Sequence, residues 1–128
     1  MNYHGVLGAV LGLLGVALGA FGAHGLQGRL SPEDLEIFET GVRYQMYHSL
    51  ALLLAANLSL KGANGTRALV GWAFSLGILV FSGSLYALVL TGERWLGAFT
   101  PIGGVAFLIG WGALAWTFLR NRGSQEEI

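Results

Sequence analysis

Apolar residues run almost unbroken through four stretches of this chain, and charged residues gather in the short intervals between them. The uncharged stretches are 1–28, 44–60, 68–92 and 95–119; the charges sit in 29–43, 61–67, 93–94 and 120–127. Each apolar run is close to the ~20 residues that cross a bilayer as an α-helix. The runs are apolar on every side rather than alternating, so they predict helices and not the strands of a transmembrane barrel. A helix also satisfies its own backbone in lipid. The pattern predicts an all-α, polytopic membrane protein: a four-transmembrane-helix bundle forming one domain, 1–128.

The spans fall at about 3–24, 42–60, 67–91 and 101–119. Ser31-Pro32-Glu33-Asp34 is a helix start, with a capping hydroxyl, proline at the first helical position and carboxylates in the first turn. A helix from there to Leu60 would be about 43 Å long, more than a hydrocarbon core of ~30 Å. Its first part, 32–41, is therefore expected to be an amphipathic segment at the interface, with Gly41 as the bend. Lys61-Gly62-Ala63-Asn64-Gly65 closes the helix with turn chemistry. Thr100-Pro101 reads as cap and first residue of the last span, and 120–128 as a frayed polar tail.

Small residues sharpen this picture. Gly5, Gly8, Gly12, Gly15, Gly19 and Gly22 repeat at 3-4-3-4-3 spacing along the first helix. Glycine costs roughly 1 kcal/mol per residue in an ordinary helix, and close backbone approach by a neighbouring helix is the usual compensation in lipid. The first helix is thus expected to be a packing core rather than a lipid-facing pole. Gly103, Ala106, Gly110 and Ala113 mark a second such face. These glycine faces also suggest self-assembly, a homo-oligomer or a membrane-protein partner.

Composition narrows the function classes. The chain has 128 residues, seven basic and seven acidic, and is 11% charged, against about 25% in a soluble domain. With zero net charge and no basic cluster it has no footprint for nucleic acid. Without cysteine it has no disulfide, redox pair or thiolate site. The first run lacks the basic lead of a signal peptide, since Met1 to His4 holds no Lys or Arg. Four spans put Lys61, Arg67, Arg120 and Arg122 on one side and Arg29, Arg43 and Arg94 on the other. That balance favours both termini cytoplasmic. Trp72 and Trp116 would mark one interface and Trp95 the other, with His4 an interfacial residue.

One mouth is polar. His24, Glu39, Arg43, Tyr44, Gln45, Tyr47 and His48 share a half of the bundle with Ser82, Ser84, Tyr86 and Thr100. Ionisable groups at such depth usually face protein or a water cavity. Three readings stay open. In the first, the cluster is a structural network: Glu39 and Arg43 pair at i,i+4, the tyrosines anchor, and His48 bonds to Ser82 or Ser84. In the second it handles protons, ions or a small polar solute, with His48 as relay. In the third it holds a metal on His24, Glu39 and His48, or a quinone-type cofactor. There is no GxSxG motif and no compelling triad, so no enzyme and no cofactor is assigned.

The strings Gly19-Ala20-Phe21-Gly22-Ala23-His24-Gly25-Leu26, Phe38-Glu39-Thr40-Gly41-Val42-Arg43-Tyr44-Gln45-Met46-Tyr47-His48 and Thr100-Pro101-Ile102-Gly103-Gly104 resemble the domain-of-unknown-function family 423. These are YgdD-like small inner-membrane proteins with a eukaryotic branch, transmembrane protein 256. The resemblance covers nearly the whole chain. It implies a multi-helix protein of the bacterial inner membrane and supplies no activity.

Overall fold

The computed structural model describes residues 1–58 and 64–125. Among them are α1 (Tyr3–His24), α2 (Pro32–Ala56), α3 (Asn64–Thr91) and α4 (Thr100–Gln125), with a short 3-10 turn, Arg94–Ala98, before α4. There is no strand among the described residues. Three helices are long and apolar enough to cross a membrane: Tyr3–His24, Gly65–Thr91 and Arg94–Asn121, with mean hydropathies of 2.2, 2.0 and 1.8. The second helix is not among them, since Glu39, Arg43, Gln45 and His48 lower the hydropathy of even its most apolar stretch.

Local chemistry sets the helix ends. Asn2 caps α1 by accepting from the Gly5 amide at 2.9 Å, and its side-chain amide donates to the Ala56 carbonyl at 3.0 Å. Ser31 caps α2 by accepting from the Asp34 amide at 3.1 Å. Between them, Gly28 turns the chain at φ 80 while Leu26 is buried against Phe38, Leu88 and Val89. Gly92, at φ 76, ends α3 with its amide donating to the Leu88 carbonyl, the left-handed helix stop that glycine adopts without a Cβ penalty. The 3-10 turn is tied back to α2 by a forked Arg94–Asp34 pair at 2.9 and 3.2 Å.

Three sequence expectations change. Helix 2 stops at Ala56, with Asn57 as its C-cap, rather than continuing to Leu60. It passes through Gly41 unbroken; that glycine instead makes room for a ring, since a Cβ there would lie 2.8 Å from Cε1 of Tyr86. Helix 4 continues to Gln125, where a frayed tail is expected from 120. The predicted turn at Lys61-Gly62-Ala63, and the tail residues 126–128, lie outside the described residues, whereas Asn64 and Gly65 begin α3.

α2 and α3 form the central antiparallel pair; α1 packs on α2, and α4 packs on α3. The core between them is built from Leu52, Val70, Phe74, Ile78 and Phe107. The first helix is therefore an edge helix and not the packing centre its glycines suggest. One stripe of it is buried, and Val6, Val10, Leu13, Val16 and Phe21 face outward.

Most of that stripe is used within the chain. A Cβ on Gly8 would lie 3.0 Å from Leu53 Cγ, on Gly15 2.5 Å from Met46 Sδ, on Gly19 3.2 Å from Val42 Cγ1 and on Gly22 2.8 Å from Phe38 Cε1. Gly5 sits over its own cap, with Asn2 Cγ at 3.1 Å. The second face works the same way against α3: Gly110 receives the Phe74 ring at 2.6 Å, and Gly77 of α3 receives Phe107 at 2.5 Å. Gly103 meets the backbone of Phe81. Ala106 and Ala113 flank this seam half-buried, and Phe107 and Leu114 fill it. These glycines thus close the bundle on itself.

Gly12 is the loose position, since an added Cβ would have its nearest neighbour, Ser49 Cβ, 4.0 Å away. Gly12→Ala should fold with unchanged or slightly raised thermal stability, since alanine is the better helix former by about 1 kcal/mol. A clear drop in the melting temperature of Gly12→Ala would mean that α1 sits closer to α2 than this spacing.

Candidate functional site

The polar half of the bundle resolves into an inner network and an outer rim. The buried positions of α2 include Phe38, Gly41, Gln45, His48, Leu52 and Ala55, a 3-4-3-4-3 stripe that carries two polar side chains inward, with Ser49, Ala51 and Ala56 buried beside it. Gln45 is 3% and His48 4% exposed. Polar groups so buried must find partners or cost free energy.

Gln45 joins three helices. Its amide nitrogen donates to the Leu11 carbonyl of α1 at 2.8 Å, and its amide oxygen accepts from the Tyr86 hydroxyl of α3 at 2.7 Å. Ser49, one turn on, donates to the Gln45 carbonyl at 2.6 Å. The Tyr86 ring rests in the space above Gly41 and tilts against Phe38, with centroids 5.1 Å apart. Ser82 donates to the Gly41 carbonyl at 2.6 Å, so α2 and α3 are bonded twice within one turn of each other.

His48 faces the other way, toward α4. Its Nδ1 lies 2.6 Å from the Tyr44 carbonyl oxygen, and its Nε2 lies 3.1 Å from the Trp111 indole nitrogen. A carbonyl can only accept and an indole N–H can only donate. The proton therefore sits on Nδ1, and the neutral ring meets both partners. The ring lies flat on Phe107, with centroids 3.5 Å apart and planes 6° apart. The expected bond from His48 to Ser82 or Ser84 is not made. Ser82 bonds Gly41, while Ser84 donates to the Phe81 carbonyl at 2.9 Å and receives the Thr100 hydroxyl at 2.6 Å. Thr100 thus uses its hydroxyl to tie α4 to α3.

The rim is different in kind. Glu39 and Arg43 pair at 3.2 Å with side chains 61% and 59% exposed. Such pairs contribute little to stability. They border a shallow groove of about 250 Å³ between α1 and α2, beside Gly19, Gly22, Phe38 and Val42. His24 is exposed at the end of α1, and Tyr47 is exposed on α2. The metal trio does not converge. Glu39 and His48 are separated by about 13 Å of helix, and no group of three His, Cys, Asp or Glu able to hold a metal exists among the described residues.

Tyr44 links rim to network. Its ring stacks on Phe81 at 4.6 Å and lies nearly parallel to His48 at 5.9 Å. With Tyr47, Phe81, Phe107 and Trp111 it walls an open groove of about 360 Å³ between α2 and α4, where Gly104 leaves space. Sequence reasoning missed Trp111. The available signal was its depth: an indole some ten residues into a span lies away from the interface and needs an acceptor inside the bundle.

The family described as "Protein of unknown function (DUF423)" matches residues 18–104. The chain is 50% identical to the UPF0382 membrane protein YwdK of Bacillus subtilis over 107 residues, 83% of this chain and 87% of that protein. It is 48% identical over 122 residues to a UPF0382 membrane protein of Staphylococcus epidermidis, covering 92% of this chain and 96% of that one. No solved structure matches the chain.

Proposed function

The chain belongs to the DUF423 family of membrane proteins, and we propose that it is a four-span protein of the bacterial inner membrane with both termini cytoplasmic, as its Lys and Arg balance favours. It acts as a non-enzymatic accessory protein, through contacts it makes inside the bilayer. The fourth span is α2. Its register supports this: Ala56 bonds Asn2, Ser49 and Leu53 sit over Gly8, Gln45 bonds Leu11, Val42 sits over Gly19, and Phe38 sits over Gly22. Phe38 to Ala56 thus runs antiparallel beside nearly all of α1, and where α1 crosses, α2 crosses with it.

One observation carries the accessory reading. The buried polar side chains of the inner network find partners inside the bundle, so none is left to pass a proton or strip a solute of water. A relay histidine needs a partner that can take the proton on; His48 has a backbone carbonyl on one nitrogen and an indole on the other. What remains for function is the outward surface, and because the glycine stripes are spent internally, a second copy or membrane partner would meet side chains such as Leu13 and Leu108.

The cysteine-free chain makes this testable with single reporters. Leu13→Cys and Leu108→Cys are expected to crosslink to a second copy or a membrane partner in native membranes, and Gly15→Cys is not. Monomer at both outward positions would overturn the accessory reading. Proteoliposomes are expected to show proton flux equal to empty liposomes; flux above that level that is lost in His48→Ala would restore a transport role.

The aromatic groove favours a second reading, the binding of a flat, lipid-soluble ring between Tyr44, Phe107 and Trp111. A Cβ at Gly104 meets nothing within 4 Å, so Gly104→Leu should fold while filling the groove. A chromophore extracted from wild type and missing from Gly104→Leu supports ring binding. Equal extracts from the two proteins remove it.

A further inference from the structure

The opposite mouth holds a cleft of about 580 Å³, where α1 begins, α2 ends and α3 begins. Asn2, Tyr3, His4, Leu7, Arg67 and Trp72 line it. His4 is locked in place: its ring fills the space over Gly71, where a Cβ would lie 2.6 Å away, and it meets the Trp72 ring edge-on at 5.7 Å. Arg67 is anchored by one guanidinium nitrogen, Nη2, which donates to the Leu58 carbonyl. Its Nε is buried and has no acceptor among the described residues. Arg67 also lines the cleft, and the fork of a guanidinium is shaped to meet an anionic oxygen.

Charge placement points the same way. The described carboxylates, Glu33, Asp34, Glu36, Glu39 and Glu93, all lie at the other mouth, where α2 begins and α3 ends. The cleft mouth has Arg67 and Arg120, and neither α1 nor α3 has an acidic residue in its first turn. The N-terminal ends of both helices add partial positive charge there. Trp72 and Tyr3 are largely exposed beside the cleft, as rings at the headgroup level of a bilayer are. Leu7 and Trp72 add apolar surface to its wall.

We propose that this cleft binds the phosphate of an anionic phospholipid headgroup, with Arg67 as the charged ligand and His4 and Trp72 as its walls. The lipid is favoured over free phosphate because the cleft opens beside interfacial rings and has apolar sides. This inference is independent of the accessory reading, which concerns the outward helix faces.

The test is native mass spectrometry of the protein released from bilayers of mixed phosphatidylglycerol and phosphatidylcholine. Wild type is expected to retain phosphatidylglycerol over phosphatidylcholine by about fivefold, the effect of one well-placed cation at a membrane surface. Arg67→Gln should lose that preference, and Arg120→Gln, which changes an exposed cation on the same side, should keep it. Equal retention of the two lipids by wild type overturns the proposal, as does an unchanged preference in Arg67→Gln. If Arg67→Gln does not fold, wild type decides alone: the preference must fall from low to high salt, and a salt-independent preference overturns it. Inorganic phosphate or glycerol phosphate that stabilises the protein as much as phosphatidylglycerol would assign the site to a soluble phosphate and overturn the lipid.

Discussion

Gly103→Ala is expected to destabilise the bundle by about 1–3 kcal/mol, the usual cost of forcing atoms into a packed interior, and to loosen α4 from α3. The position has no slack. An added Cβ would lie 2.7 Å from Phe81 Cβ and 2.8 Å from Phe81 Cα, so the obstacle is largely backbone and cannot rotate away. Gly15, although as close to its neighbour, faces the thioether of Met46, a flexible side chain that can move aside. Gly103→Ala should therefore cost more than Gly15→Ala. Thermal unfolding of both variants in detergent gives the order; the reverse order would place the tight seam between α1 and α2.

His48→Leu is expected to cost about 1–3 kcal/mol, because it leaves the Trp111 indole N–H, set in an apolar helix, without its acceptor. The informative variant is the pair. With Trp111→Phe added, both ends of the bond become apolar, a change that is often close to neutral. The double variant should then be less destabilised than the sum of its two singles, with a coupling of ~0.6–1.7 kcal/mol as for hydrogen bonds between helices in lipid. Additive losses would mean that the two rings do not bond, and that the stack on Phe107 alone holds His48 in place.

Much of the helical plan is legible in the sequence because its causes are local. Uninterrupted apolar runs, Ser31 before Pro32, and Gly92 after the third run each act within a few residues. What is not legible depends on which helix faces which. The first helix looks central because six glycines repeat along it, yet spacing says only that something approaches closely. In the fold that neighbour is a single helix, α2, and the opposite side of α1 is exposed. Helix 2 ends early because its last carbonyls are met at Asn2 and Asn57, a contact between helices that no local signal announces.

The polar cluster shows the same limit. Helical periodicity places Glu39, Arg43, Tyr44, Tyr47 and His48 on one half of α2, and that half divides when neighbours are added. His48 turns under α4 while Glu39, Arg43 and Tyr47 stay at the surface. Gln45, which falls on the apolar half by periodicity, becomes the residue that joins α1, α2 and α3. Charge draws attention to Arg43 and Glu39. Burial moves it to Gln45 and His48, where an unmet bond would be costly and each bond is met.

Whether that network is a fastener or a conduit is decided at the His48 ring. Solid-state nitrogen NMR of the protein in bilayers at neutral pH should find one neutral species, with Nδ1 protonated and Nε2 accepting from the Trp111 indole. An imidazolium, the opposite tautomer, or a ring exchanging protons with water would contradict it and return the cluster to proton handling.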